Sequence, residues 1–201
     1  MAVSPTKKLQ DEVTHAVLAS GLQDTKLVVA VSGGPDSMAM LHALQMTCSE
    51  TGLEIIGAHL NHRLRGQESY DDSNFVKSAF QTLNIPYRTG DIDVRHHASK
   101  NKWSIEEAAR NLRHHFLLEV VNQTKSSAVA LGHNADDQAE TILMHIIRGA
   151  GLRGLSGMSL RSNRNIGGSS INIFRPLLNF SRTTIESYCL EANLQPRQDS
   201  T

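Results

Sequence analysis

The chain has 201 residues, 39% of them apolar and 20% charged, and its 20 basic and 20 acidic side chains balance. That length allows one domain with a sizeable core and is short for two, and zero net charge excludes a globally basic nucleic-acid binder, so any basic site must be local. The two cysteines, Cys48 and Cys189, are far apart and outside any C-x-x-C pair, which argues against a zinc ribbon, a redox pair or a disulfide scaffold.

No apolar run approaches membrane-spanning length, and polar residues from Gln10 to His15 interrupt any signal-peptide core, so a cytoplasmic protein with no membrane partner is expected. Leu9, Val13, Val17 and Leu18 fall near helical spacing and predict an opening helix over about 8–20, ended by Gly21. Lys26–Val31 reads as a strand and Ser37–Thr47 as the helix after it. A second strand (Glu54–Leu60) and helix (Asp72–Leu83) follow, then a more polar third strand over Tyr87–Val94. Ser104 opens a helix with a capping box completed by Glu107, and Ala108, Leu112, Phe116 and Val120 form its apolar stripe. Ser127–Leu131 is a fourth strand, leading through Gly132-His133-Asn134 into a helix that ends near Ile147. The region from about 149 to 180 is a Gly/Arg-rich loop with a hairpin around Gly-Gly-Ser-Ser, and Ser181 caps a last helix to Ala192. This alternation predicts a single α/β domain with a doubly wound, mostly parallel sheet and helices on both faces.

In such a sheet, ligands bind beyond the carboxyl ends of the strands, and three strands here end in polar clusters. The first is Ser32-Gly33-Gly34-Pro35-Asp36-Ser37, where an apolar strand turns through glycines onto a helix start. Its unpaired N–H groups and the helix dipole suit a phosphate, the serines add hydroxyls, and Asp36 offers a carboxylate for Mg²⁺. No G-K-[ST] follows the glycines, and they are adjacent, so neither a Walker A loop nor a dinucleotide fingerprint is present. The stretch resembles the PP-loop of the N-type ATP pyrophosphatases, which cleave ATP between the α- and β-phosphates. An ordinary capped strand-to-helix turn is the alternative.

The second cluster, His59 to Arg65, offers His59, Asn61 and His62 to adenine and ribose, and Arg63 and Arg65 to phosphates. Solvated loop arginines are the plain alternative. In the third, Asp137 and Glu140 share a helix face just past a strand end and could hold Mg²⁺ or an ammonium group; acids also stabilise a helix start, with Asn134 or Asp136 as cap. Arg110 is placed to pair with Glu106, whereas Arg113 lacks a local partner and could stabilise charge on a phosphate. Six arginines, among them Arg148, Arg153, Arg161 and Arg164, occupy the acid-free stretch between Glu140 and Glu186, a pattern suited to a nucleic-acid backbone or to plain solvation.

Taken together, S-G-G-P-D-S, H-L-N-H-R-L-R-G, S-I-E-E-A-A-R-N-L-R, G-H-N-A-D-D-Q-A-E-T, R-G-A-G-L-R-G-L-S-G-M and R-P-L-L resemble bacterial tRNA(Ile)-lysidine synthetases from about Lys26 onward. The resemblance implies a ligase that adenylates the wobble cytidine of tRNA(Ile) with a CAU anticodon and then joins it to free L-lysine, with ATP and Mg²⁺. It implies ATP at Ser32, Gly33, Gly34, Pro35, Asp36, Ser37, His59, Asn61, His62 and His133, and metal at Asp36 and Asp137. Catalysis would rest on Asp36, Arg113, Asp137 and Glu140, with Glu140 at the lysine amine and Arg113 at the activated intermediate. The tRNA would meet Arg63, Arg65, Arg148, Arg153, Arg161 and Arg164. Family members usually continue into smaller tRNA-gripping C-terminal domains, and the resemblance implies that residues 1–201 correspond to the catalytic domain without them; a homodimer is left open. Another PP-loop tRNA-modifying activity, such as thiolation, and a non-catalytic ATP-binding module are the alternatives.

Overall fold

The computed structural model describes residues 4–149 and 155–197. Strands β1 (Lys26–Ala30), β2 (Glu54–Asn61), β3 (Tyr87–Asp91), β4 (Ala128–Ala130), β5 (Arg161–Ile166) and β6 (Ser169–Phe174) form one sheet in the order β3-β2-β1-β4-β6-β5. All neighbours are parallel except the β5–β6 hairpin. Gly167 and Gly168, with φ of 55° and 85°, make its turn, a backbone that glycine adopts without strain.

The helices are α1 (Pro5–Ala19), α2 (Pro35–Thr51), α3 (Gln67–Thr82), α4 (Val94–Asn101), α5 (Ile105–Thr124), α6 (Ala135–Ile147) and α7 (Arg182–Glu191). The chain steps from β1 to β2 to β3 in one direction and then returns past β1 to β4, so right-handed crossovers put α2 and α3 on one face and α5 on the other. The buried side chains follow this division. Leu27 and Val29 of β1 point into a large core with α1, α2, α3 and α7, while Val28 meets Leu117 and Val120 of α5 in a second one.

The predicted doubly wound fold is therefore present, with three local differences. Residues after Asp91 leave the sheet and form α4, capped by Asp93, whose side chain accepts from the His96 N–H at 2.9 Å. The strand expected over Tyr87–Val94 stops at Asp91, and Val94 and Ala98 bury one face of a short helix instead. Helix α3 begins at Gln67 rather than Asp72, because Tyr70, exposed, is the lone apolar residue of its first turns and gives no period to register. The capping box expected at Ser104 is only half made, since Ser104 Oγ accepts from the Glu107 N–H at 3.1 Å; the full reciprocal box sits on α6.

Candidate active site

The strand order reverses between β1 and β4, and the crevice beyond their carboxyl ends is where the sequence clusters meet. After β1 the chain turns at Gly33, with φ of 104°, and enters α2 at Pro35. Ser37 clasps this loop: its buried hydroxyl accepts from the N–H groups of Ser32 (3.2 Å) and Gly33 (3.1 Å) and donates to the Gly34 carbonyl (3.0 Å). The clasp shapes the loop. The first turn of α2 leaves the N–H groups of Asp36 and Ser37 without helical partners, at the positive end of the dipole.

The β4 loop lies directly against this turn. A Cβ on Gly132 would stand 3.3 Å from backbone atoms of Asp36 and Ser37, so a glycine there permits the approach. Asn134, 1% exposed, is the α6 cap, and its Nδ2 donates to Asp36 Oδ1 at 3.0 Å. Asp137 closes the capping box by accepting from the Asn134 N–H at 2.9 Å through Oδ2. Asp36 and Asp137 thus sit near each other, each with one carboxylate oxygen outside these bonds. Burial pushes the Asp36 carboxyl up, Asn134 and Arg182 oppose the shift, and the charges of Asp137 and Glu186 add to it. A divalent cation would relieve that crowding, so this pair fits a Mg²⁺ ion. Among the described residues no three His, Cys, Asp or Glu side chains are grouped so as to hold a metal ion.

At the end of β2, His59 is 5% exposed and its Nδ1 lies 2.8 Å from the Val31 carbonyl. A carbonyl only accepts, so Nδ1 carries the proton and the buried Nε2, without a partner, is an acceptor. Asn61 Oδ1 receives the Arg63 N–H at 3.0 Å. His62 is pushed down to about 4 by burial and by the positive charge of Arg113. Arg63 is bound to Asp91, and Arg65 to Asp72 at 2.7 Å.

A cleft of about 420 Å³, a size that suits a nucleotide, joins these loops. Of the predicted residues, Ser32, Asp36, Ser37, His59, Asn61, His62, Arg65, Arg113 and His133 line it. Gly33, Gly34, Pro35, Arg63, Asp137 and Glu140 lie outside the lining. Arg113 still meets water, but the surrounding walls and the charges of Arg110 and Arg164 push its pKa down. The expected Glu106–Arg110 ion pair is absent, and Arg110 instead adds its field to that of Arg113 and Arg164. Arg161 donates to the Ser20 carbonyl at the end of α1, Arg148 is exposed at the end of α6, and Arg153 lies outside the described residues.

Three contributors escaped the sequence reading. Asp72 lines the cleft, and Arg182 and Glu186 of α7 act electrostatically on Asp36. No local motif announces them: Asp72 stands on α3, and Arg182 and Glu186 reach the site because α7 packs on α2.

The model of the PP-loop domain matches residues 5–201. The chain belongs to the PP-loop domain family. Relatives within the family include proteins named tRNA(Ile)-lysidine synthase: one from Dehalococcoides mccartyi is 39% identical over 196 residues, covering 96% of this chain and 42% of that protein. Another, from Clostridioides difficile, is 40% identical over 177 residues, covering 88% of this chain and 37% of that protein. The chain therefore spans about two fifths of the length of these curated relatives. Among solved structures, the U34-tRNA thiolase NcsA from Methanococcus maripaludis superposes with a TM-score of 0.78 at 17% identity, covering 97% of this chain and 66% of that one. The NH3-dependent NAD synthetase from Campylobacter jejuni gives 0.59 at 16% identity, covering 95% and 73%. These two likenesses speak to the PP-loop fold alone.

Proposed function

We propose that this PP-loop chain, residues 1–201, is a cytoplasmic catalytic unit that forms lysidine: it uses ATP to activate the wobble cytidine of a tRNA(Ile) with a CAU anticodon and joins free L-lysine to it. The observation that carries the reading is the 39% identity to a named tRNA(Ile)-lysidine synthase across 96% of this chain; Asp36, His59, His62, Arg113 and His133 lining one cleft support it.

The chemistry has two displacements. The cytidine C2 oxygen attacks the α-phosphorus of ATP and pyrophosphate leaves; the ε-amine of lysine then attacks C2 and AMP leaves. In the first, the Asp36 and Ser37 N–H groups meet phosphate oxygens, and His59, Asn61 and His62 border the adenosine. Asp36 and Asp137 would hold Mg²⁺, which supplies charge neutralisation at the phosphates. Arg113, held among other cations on α5, stabilises charge on the adenylated base. In the second, Glu140, exposed on the same helix as Asp137, binds the incoming ammonium group and takes its proton. Arg148 and Arg164, neither of them in an ion pair among the described residues, would meet the tRNA backbone with Arg153 and Arg161, while Arg63 and Arg65 would exchange carboxylate partners for phosphates.

Thiolation finds less support. Cys189 is buried against the start of α2, with its thiol pushed up to about 11 by burial, and Cys48 sits near the other end of that helix. Neither lines the cleft.

The test is ATP conversion to AMP and pyrophosphate with a CAU-anticodon tRNA(Ile) transcript, with and without labelled L-lysine. Lysine-dependent AMP release with label in the RNA is the expected result. Pyrophosphate release without incorporation would replace the reading by another adenylating activity.

A further inference from the structure

Arg175, at the end of β6, is 8% exposed and has no carboxylate partner among the described residues. Its Nη1 donates to the Ser159 carbonyl and to Ser162 Oγ, both at 2.9 Å, and its Nε donates to Nδ1 of His133 at 3.2 Å. A guanidinium has no lone pair to accept with and stays charged, so His133 Nδ1 must be the unprotonated nitrogen. The proton of the neutral ring therefore sits on Nε2. His133 itself lines the cleft, as does His59, whose carbonyl bond fixes the reverse tautomer.

We propose that Arg175 is a positioning residue: it locks His133 as a neutral Nε2–H donor facing the cleft, where that N–H binds a phosphoryl oxygen of the nucleotide. The proposal rests on the reading of the cleft as an ATP site and adds what selects the role of His133. A ring so held offers no lone pair to the cleft and cannot act there as a general base. It delivers a fixed dipole, polarised by a buried cation behind it, toward a phosphoryl oxygen in the cleft. Parallel pairing of Val129 with Ile173 and Ala130 with Phe174 sets the two residues side by side, one just past each strand end.

The decisive measurement is long-range ¹H–¹⁵N correlation of the imidazoles at neutral pH, with inorganic pyrophosphate and Mg²⁺ as probe. Expected in the unaltered chain is a pyridine-like Nδ1 and a pyrrole-like Nε2 for His133, with Nε2 shifting as pyrophosphate is added. Arg175→Met should release the ring to a mixture of tautomers and weaken pyrophosphate binding about tenfold. In a His133→Ala background the same Arg175→Met change should have no additional effect on pyrophosphate affinity, which a merely structural arginine would not reproduce. Should Arg175→Met fail to fold, Arg175→Lys carries the test, because it keeps the charge but lacks the fork that reaches three acceptors at once. A His133 ring protonated on Nδ1, or one whose tautomer ignores both Arg175 variants, would overturn the proposal. If the tautomer is as stated but lysine-dependent turnover is absent, the lysidine reading fails and this pairing stands.

Discussion

Asn134 ties the two halves of the crevice together: its Nδ2 donates to Asp36 Oδ1 at 3.0 Å while its Oδ1 accepts from the N–H groups of Asp136 and Asp137. One buried amide thus caps α6 and orients a carboxylate on α2. Asn134→Ala should cost about 1–3 kcal/mol through the lost cap and the unpartnered Asp36 oxygen, read from urea unfolding. Asn134→Asp keeps the cap but sets an anion against Asp36, so it should lose ATP-dependent turnover with a smaller loss of stability. Equal turnover in all three proteins would show that the orientation of Asp36 is immaterial.

Gly132 has no room for a side chain without moving backbone. With a Cβ at 3.3 Å from Asp36 and Ser37, Gly132→Ala must push the first turn of α2 by a few tenths of an ångström. Stability should fall by about 1 kcal/mol. ATP affinity, measured by calorimetry, should fall more, by about tenfold, because the same turn presents the N–H groups proposed to meet the phosphates.

His114 makes stability depend on pH. It is 6% exposed, and burial, with the charges of Arg164, Arg113 and Arg110, holds it down at about 4. Above the unfolded value near 6.5 the ring is neutral in both states and contributes nothing to the slope. As pH falls from there toward 4 the unfolded chain takes up a proton that the folded chain refuses, so stability is lost, by roughly 2 kcal/mol at pH 5. His62 and His133 act in the same direction. Urea midpoints at pH 7 and pH 5 should differ less for His114→Leu than for the unaltered protein.

Helix α6 carries Leu143, Met144, Ile146 and Ile147 at 45–70% exposure. Since Ile147 at 70% exposure gives little burial to lose, Ile147→Lys should change unfolding free energy by no more than about 0.5 kcal/mol. A thermal melt checks this, and a large drop would mean that the apolar face is covered in solution.

The turn from β1 into α2 was legible because everything that makes it is local: a β-branched strand, adjacent glycines and Pro35 at a helix start lie within ten residues of sequence. The same holds for the Asn134 cap. Arg175 was visible only as one arginine among six, because its partner is set by pairing of β6 with β4, some forty residues away in sequence. Helix α4 stayed hidden because one turn of Val94 and Ala98 is too short to show a period. For Arg110, helical spacing favoured Glu106, but spacing sees only one helix, and the charges of Arg113 and Arg164 that it joins are partly on β5.

Two walls of the crevice differ in how they are fastened. The β1 loop leads into α2, whose flank is sealed into the main core, but α6 has no buried residue. Near its start α6 is pinned by the Ala135 N–H on the Phe180 carbonyl, the Arg182 N–H on Asp136, and Gln138 clasping the backbone of Met158. Amide protons over 141–147 should accordingly exchange with solvent through local opening, well before those of α2, which wait for global unfolding. The nucleotide side would then be an anvil and the helix bearing Asp137 and Glu140 a compliant jaw. On the proposed reaction, such a jaw would close on one reactant in the first displacement and yield to admit another in the second.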